Sequence, residues 1–378
     1  MPSYDLIETN EGVGQLAETL SKAEIVGVDT EADSLYSYFD KVCLFQFSAA
    51  GRDYIVDPLG CDGIGQLAPI FSSPDHETVF HAAEYDVLCL KRDYDFVFDR
   101  LFDTMTASLL LGYEKIGLSD LLQQHFDVEL DKRFQRAHWS QRPLPEPMLE
   151  YARLDTHYLC ELRDRLIGEL EQAGRLSWAK EEFALIAQKE WPARSFDPDD
   201  FRRIKGAGRL SPREQAVLKE LFTLRDQRAR SLDRPPFKVL GNLTLIDLAQ
   251  ARPRNEKTLL RVRGVSSYVV RRLGESLLAA IARGEAAEPP ERPRSKRSGT
   301  KYDPTLKTRV KSLKQWRKKQ AEPYGIQPHV LIPNAVLDHV AGHGPVTPDE
   351  LREVDEMRSW SFAEVGCELA EFSKKMAS

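Results

Sequence analysis

Short β-branched and aromatic runs alternate with amphipathic stretches through residues 1–190, and the pattern then turns wholly helical. Residues 12–21 carry a helical spacing. The run Ile25-Val26-Gly27-Val28-Asp29-Thr30-Glu31 reads as a strand that ends in acid. Residues 41–49 and 53–57, joined by Ala50-Gly51-Arg52, read as two further strands and complete an antiparallel meander. Residues 64–71 predict a helix, 78–81 a short strand and 84–91 a helix with Val87, Leu88 and Leu90 as apolar positions. From Asp103 the pattern is mostly helical, over 104–111, 118–126 and a long segment from 147 to about 190. Strands first, then strand and helix in alternation, predict an α/β domain with a central mixed sheet.

Trp191-Pro192 and Phe196-Asp197-Pro198 interrupt the pattern and mark a boundary. Beyond it Ser211 and Pro212 open a helix as N-cap and first helical residue. Leu218, Leu221, Phe222 and Leu224 continue it at 3–4 spacing, and further helices follow near 243–251 and after Gly264. Residues 285–303 are rich in Pro, Arg and Ser and poor in large apolar groups, which predicts a flexible tether. From Leu306 to Phe372 the helical logic repeats. The expected organisation is an α/β domain over 1–198, a helical bundle over 206–286, a basic linker over 287–303 and a second bundle over 304–375.

Composition narrows the function classes. Hydrophobic content of 42% and charged content of 30% are those of a water-soluble chain. No apolar run reaches the ~18 residues of a membrane span, and the start has no basic head or apolar core of a secretory signal. The five cysteines (Cys43, Cys61, Cys89, Cys160, Cys367) are scattered and form no C-x-x-C pair. They predict reduced thiols in a cytoplasmic protein, with no zinc site. The net charge of -6 hides a division: residues 1–201 carry 20 excess acids, residues 202–319 carry 20 excess bases, and the remainder is acidic again. Cations in front and a polyanion behind fit that division.

The acidic front contains the candidate chemistry. Asp29 and Glu31 are two apart on a strand and face the same way. Two such charges ~4 Å apart repel by roughly 4 kcal/mol at an effective dielectric near 20, so a cation there is expected, unless the pair is simply a solvated strand end. Asp86 opens the helix after the strand that ends near His81, and a crossover returns it toward the first strand. Tyr151 and Asp155 are four apart and share a helical face.

Asp29-x-Glu31, Asp86 and Tyr151-x-x-x-Asp155 together resemble the DEDD exonuclease superfamily in its tyrosine subclass. The histidine subclass would carry His where Glu150 stands. Asp131-Lys132, the block Trp139-Ser140-Gln141-Arg142-Pro143-Leu144 and Tyr151-Ala152-x-x-Asp155 are similar to the ribonuclease D family in particular. Leu224-Arg225-x-x-Arg228-Ala229, Pro236-Phe237-x-Val239-Leu240 and Leu260-x-Val262-x-Gly264 resemble the HRDC domain, and 304–375 looks like a diverged second copy.

The resemblance implies a ribonuclease H-like exonuclease domain followed by two all-α HRDC-type bundles. It implies 3′→5′ removal of nucleotides from RNA 3′ ends, with tRNA precursors as the substrate and a monomeric chain. Phosphodiester hydrolysis by two divalent ions suits an all-carboxylate site, with Mg²⁺ or Mn²⁺ as the hard cations. Asp29, Glu31, Asp86 and Asp155 are then the expected ligands. Tyr151 would orient the attacking water, since a phenol of pKa ~10 is a poor base. His81, Lys132 and Arg142 are weaker candidates for substrate phosphates. A DNA exonuclease of the same superfamily, and a non-catalytic RNA-binding protein on the same fold, remain the alternatives.

Overall fold

The computed structural model describes residues 4–191, 196–291 and 305–377. The chain divides into two compact units. The first comprises Met1–Ala32, Val42–Trp191 and Thr300–Ser378, and the second Asp33–Lys41 and Pro192–Gly299.

The first unit is built on a six-stranded sheet: β1 (Asp5–Ile7), β2 (Ile25–Ala32), β3 (Val42–Ala49), β4 (Arg52–Val56), β5 (Glu77–Phe80) and β6 (Leu101–Asp103), in the order β1-β4-β3-β2-β5-β6. The meander β2-β3-β4 is antiparallel, while β1 pairs parallel to β4, β5 to β2 and β6 to β5. The sheet is therefore mixed, as expected. Every residue of β3 is buried, because helices cover both faces of the central strands. β1 and β6 lie outside the sequence expectation: three residues are too few for a period of two to register.

Around the sheet lie α1 (Asn10–Leu20), α2 (Ala68–Ser72), α3 (Glu84–Tyr94), α4 (Thr104–Leu111), α5 (Leu118–Phe126), α6 (Glu146–His157), α7 (Leu159–Gln172) and α8 (Leu176–Gln188). The long helical segment expected from 147 is thus three helices. It breaks at Tyr158 (φ -99°, ψ 0°) and again before Leu176, where Gly174 takes φ +69°. Side chains punctuate these elements: Thr9 caps α1 through the Gly12 N–H (3.1 Å), and Asp103 caps α4 through Met105 and Thr106.

The same unit is completed by C-terminal helices. To name these, the second unit contributes α9 (Pro212–Ser231), α10 (Pro236–Val239), α11 (Asn242–Ala251), α12 (Glu256–Leu259) and α13 (Ser267–Ala286). The C-terminal module is α14 (Leu306–Ala321), α15 (Pro328–Leu331), α16 (Asn334–His343), α17 (Pro348–Arg352) and α18 (Ser359–Ala377). Its core is continuous with that of the sheet. Trp360 stacks on Trp178 of α8 at 4.4 Å, and its indole N–H donates to Glu182 at 3.0 Å. Glu181 accepts the N–H groups of Ser359 and Trp360 at the start of α18. A Cβ on Gly112 would lie 2.1 Å from the Gly325 carbonyl oxygen, so the turn after α4 and the module meet backbone to backbone. Trp316 packs against this core and stacks on Phe372 at 5.6 Å.

In the second unit, α9 starts at the expected Ser211-Pro212, with a reciprocal cap between Ser211 and Glu214. Phe201, Leu218, Leu221, Leu245, Leu248, Leu277 and Ile281 form its core. The strand connection Asp33–Lys41 belongs here, where the Tyr38 hydroxyl donates to Asp226 at 2.8 Å and Asp233 accepts the Tyr38 and Phe39 N–H groups. Arg225 is buried and its guanidinium donates to the Leu240 carbonyl (3.1 Å) and Asn242 Oδ1 (2.7 Å). In the C-terminal module Arg317 makes the same clamp to the Ile332 carbonyl (2.5 Å) and Asn334 Oδ1 (3.0 Å). Identical chain spacings, 15 and 17 residues, mark the two bundles as repeats of one design. Most of the expected linker 287–303 lies outside the described residues. Among the described residues no helix is long and apolar enough to cross a membrane, and no two cysteines are joined in a disulfide.

Candidate active site

Strand alternation places Asp29 and Glu31 on the face of β2 that α6 covers. The pairing register shifts between Glu31 and Ala32, so the ladder ends where the acids stand. Asp155, near the C-terminal end of α6, comes down onto them. One carboxylate oxygen from each of Asp29, Glu31 and Asp155 lies within 4.8 Å of the others. Among the described residues this is the only group of three or more His, Cys, Asp or Glu side chains so arranged.

Asp86 arrives from the other direction. Thr30, between the two strand acids, faces the opposite side of β2, and its hydroxyl donates to Asp86 Oδ1 in the first turn of α3. Asp86 lies outside the three-acid group, yet it is the carboxylate acting most strongly on Asp29. The D-T-E triplet thus serves both faces.

The turn that presents Asp86 has its own support, which sequence reasoning missed. Ala82 takes φ +62°, a region an alanine rarely adopts. Buried Asp103 accepts the N–H groups of Ala82 (3.1 Å) and Ala83 (3.0 Å) while also capping α4. Nothing in a lone aspartate between Phe102 and Thr104 signals that role, because the turn it holds is 20 residues away.

A second network anchors α6. Asp53 Oδ2 accepts from Arg153 (2.8 Å) and His157 (2.7 Å), and Oδ1 accepts the Ser48 hydroxyl at 2.6 Å. Burial alone would raise the Asp53 carboxyl, but the bonds from His157, Ser48 and Arg153 bring it below the usual range. The anchor lies beside Asp155 in sequence and fixes the helix that carries it.

The electrostatics of the four acids are uncompensated. Asp29 and Glu31 are raised well above ordinary carboxyls, first by desolvation and then by their acidic neighbours. Desolvation pushes Asp86 and Asp155 up to about 7. The Tyr151 hydroxyl bonds Asp155, and desolvation and the surrounding carboxylates hold its proton more tightly than in a free phenol. Four oxygen donors that repel one another are a fitting cage for hard divalent cations. The Tyr151 ring is fixed between Trp139 and Phe134, at 6.1 and 5.9 Å.

Asp29, Glu31, Tyr151 and Asp155 line a cleft of about 530 Å³ together with His81, Ser119, Lys132, Gln135 and Arg136, while Asp86 lies outside the lining. Lys132 is exposed in this lining, as a phosphate contact requires; Gln135 and Arg136, three and four residues on in the same loop, join it and were not singled out from sequence. His81 lines the cleft in a different chemical state from the one expected. Burial lowers its pKa to about 4, so it is neutral at pH 7. The Thr104 hydroxyl donates to the Phe80 carbonyl, which leaves Thr104 Oγ1 to accept from His81 Nδ1 (2.9 Å). The remaining Nε2 can then only accept.

Arg142 is absent from the cleft lining. Its Nε and Nη2 donate to the two oxygens of buried Asp57, Nη2 also to the Cys43 carbonyl (2.7 Å), and Nη1 to the carbonyls of Trp139 (2.6 Å) and Gln141 (2.9 Å). An arginine engaged on every nitrogen holds the loop before α6 and has no donor left for a phosphate.

Comparison with known proteins bears on the family and the fold. The family model for 3′-5′ exonucleases matches residues 4–171, and that for the HRDC domain matches 214–281 and 307–371. Ribonuclease D of Acidiphilium cryptum is 31% identical over 79% of this chain and 77% of its own length. Ribonuclease D of Pseudomonas paraeruginosa is 29% identical over 97% of this chain and 96% of its own. The exosome complex component 10 homolog of Caenorhabditis elegans is 36% identical over 66% of this chain, which spans 29% of that protein. Among solved structures, the catalytic core of RRP6 from Trypanosoma brucei superposes with a TM-score of 0.70 at 30% identity, covering 75% of this chain and 80% of that one.

Proposed function

Since this chain belongs to the ribonuclease D family of divalent-metal-dependent 3′→5′ exoribonucleases, we propose that it trims the 3′ ends of structured RNA precursors, tRNA precursors among them, in the cytoplasm. Two Mg²⁺ or Mn²⁺ ions are assigned to Asp29, Glu31, Asp86 and Asp155. The observation that carries this reading is the convergence of three carboxylates within 4.8 Å, with Asp86 behind Asp29 and the Tyr151 hydroxyl on Asp155. Bound divalent ions supply charge neutralisation for the attacking and leaving oxygens of an in-line displacement.

The protein's own groups do the rest. Tyr151, whose hydroxyl keeps its proton near neutral pH and so has no basic form to offer, orients the water through that hydroxyl. Lys132 and Arg136 draw the phosphates of the last nucleotides into the cleft. Neutral His81 offers Nε2 as an acceptor, which suits a ribose hydroxyl better than a phosphate. The 20 excess bases of residues 202–319 attract the body of the RNA.

Time courses on 3′-extended RNA and matched DNA, in Mg²⁺, Mn²⁺ or chelator, test the reading. Shortening of RNA by single nucleotides from the 3′ end, abolished by chelator, is expected. Equal rates on DNA would move the assignment to the DNA exonuclease alternative, and no shortening in either ion would leave a binding protein.

A further inference from the structure

Gln46 is a polar residue on the site's face of β3 that the chemistry above does not use. Its side chain is fully buried, and neither its amide nitrogen nor its amide oxygen has a hydrogen-bond partner among the described residues. Buried amides are nearly always paired, so an idle one invites a reason. The register supplies it. Gln46 stands directly opposite Asp29 on β2, and opposite Ile55 on β4. Directly paired residues of antiparallel strands point to the same face with Cβ atoms ~4.5–5.5 Å apart, well within the reach of a glutamine.

The other surroundings are apolar or already engaged. Leu44 and Ile55 pack with Met148, Leu149 and Ala152 of α6 in one buried cluster. Ser48, the next residue on this face, is taken by Asp53 and Thr156. A glutamine placed there only to fill space would be replaced without loss by leucine or methionine. What distinguishes it is a pair of N–H donors beside a candidate metal ligand.

We propose that the Gln46 carboxamide is a positioning residue for Asp29: in the metal-loaded site its amide N–H would donate to an Asp29 carboxylate oxygen and orient that ligand. Ligating carboxylates are commonly oriented by such outer hydrogen bonds, whose loss weakens metal affinity or activity by ~10–100-fold. Gln46 touches neither substrate nor reacting atoms, so its effect passes through the ligand. The inference rests on the assignment of Asp29 as a metal ligand.

The test uses full-length Gln46→Met and Gln46→Leu, both close to glutamine in volume. Mn²⁺ binding is followed by titration calorimetry, the melting temperature is taken in chelator, and RNA affinity is measured in chelator. Expected are an Mn²⁺ affinity lower by ~10–100-fold, unchanged RNA affinity, and a metal-free melting temperature equal to or above that of the parent, because an unpaired buried amide has been removed. Unchanged Mn²⁺ affinity in either folded variant overturns the proposal. So does a fall of melting temperature in step with affinity, or failure of both variants to fold, since each assigns Gln46 to packing. A parent protein that itself binds no Mn²⁺ would instead remove the metal-site assignment beneath it.

Discussion

Gly27 and Thr156 face each other across β2 and α6 with too little room for a side chain: a Cβ on Gly27 would lie 3.1 Å from the Thr156 carbonyl oxygen and 3.2 Å from the Leu159 Cβ. Gly27 lies two residues before Asp29, and Thr156 follows Asp155. The missing side chain sets how far the helix acid can descend onto the strand acids. Gly27→Ala should lift α6 by tenths of an ångström and lower stability by ~1–3 kcal/mol. Misplaced catalytic groups lose up to ~10²-fold for a 1 Å shift, so kcat should fall severalfold or more with RNA affinity unchanged. Retention of full kcat in a variant with a lowered melting temperature would show that the closeness serves packing alone.

Asp155→Asn tests the acid cage. The amide is a poor ligand for a hard cation, and hydrolysis in Mg²⁺ should fall by about 10²–10³-fold, as when other transition-state charge stabilisers are removed. The metal-free variant should melt higher than the parent, because Asp155 is among the charges that raise Asp29 and Glu31. Activity near the parent's would remove Asp155 from the site.

Tyr151→Phe keeps the ring between Trp139 and Phe134 and deletes only the hydroxyl. Loss of a group that positions water should lower single-turnover rates by ~10²–10⁴-fold and leave RNA affinity in place. If the hydroxyl merely buttressed Asp155, metal affinity would fall in parallel with rate, which the same titrations detect.

The raised acids make a definite claim about pH. Asp86 and Asp155 hold protons up to about 7 in the metal-free folded protein, whereas the unfolded chain releases them near 3.8. Their contribution to stability is fully present below the unfolded value and is lost as pH rises toward 7, at up to about 1.4 kcal/mol per pH unit for each proton. His81 acts in the opposite sense: its folded value near 4 lies below 6.5, so its contribution is present above 6.5 and lost as pH falls. With several acids against one histidine, the melting temperature in chelator should decline between pH 4.5 and 7. Saturating Mn²⁺ should remove that decline and add about 2.7 kcal/mol at a hundred times Kd. A flat profile in chelator would mean the acids are ionised without help.

Removal of residues 300–378 should destabilise the exonuclease sheet itself. Trp178 and other core residues of α8 would lose their cover, at ~1.5–3 kcal/mol for each large apolar side chain. A few such losses match a whole domain's ~5–15 kcal/mol. The truncated chain should be insoluble or melt without a cooperative transition; a soluble, cooperative protein with the parent's melting temperature would show that the module is only docked.

Asp29 with Glu31, and Tyr151 with Asp155, could be paired from sequence because their spacing is local, two residues on a strand and four on a helix; Asp86 was placed only by the helix start after the strand near His81. Their supports were not, because Asp103, Asp53, Gln46 and Gly27 act on partners distant in the chain. A basic residue's destination is equally invisible from sequence. Arg225 and Arg317 count toward the positive balance of residues 202–319, yet each, like Arg142 in the acidic front, is consumed by a clamp. The meander was readable from its turn at Ala50-Gly51; β1 and β6 were not, since their pairing is parallel and fixed only by the finished sheet.

The backbone contact of Gly112 with Gly325 also orders events during synthesis. A ribosome releases the acid-bearing strands and helices first, and α14–α18 last. A nascent chain that has emerged only through α13 carries every proposed ligand on a sheet whose flank is still uncovered. The framework around the sheet closes only when those final helices arrive, so the chain gathers its proposed ligands before it has the walls that hold them in place.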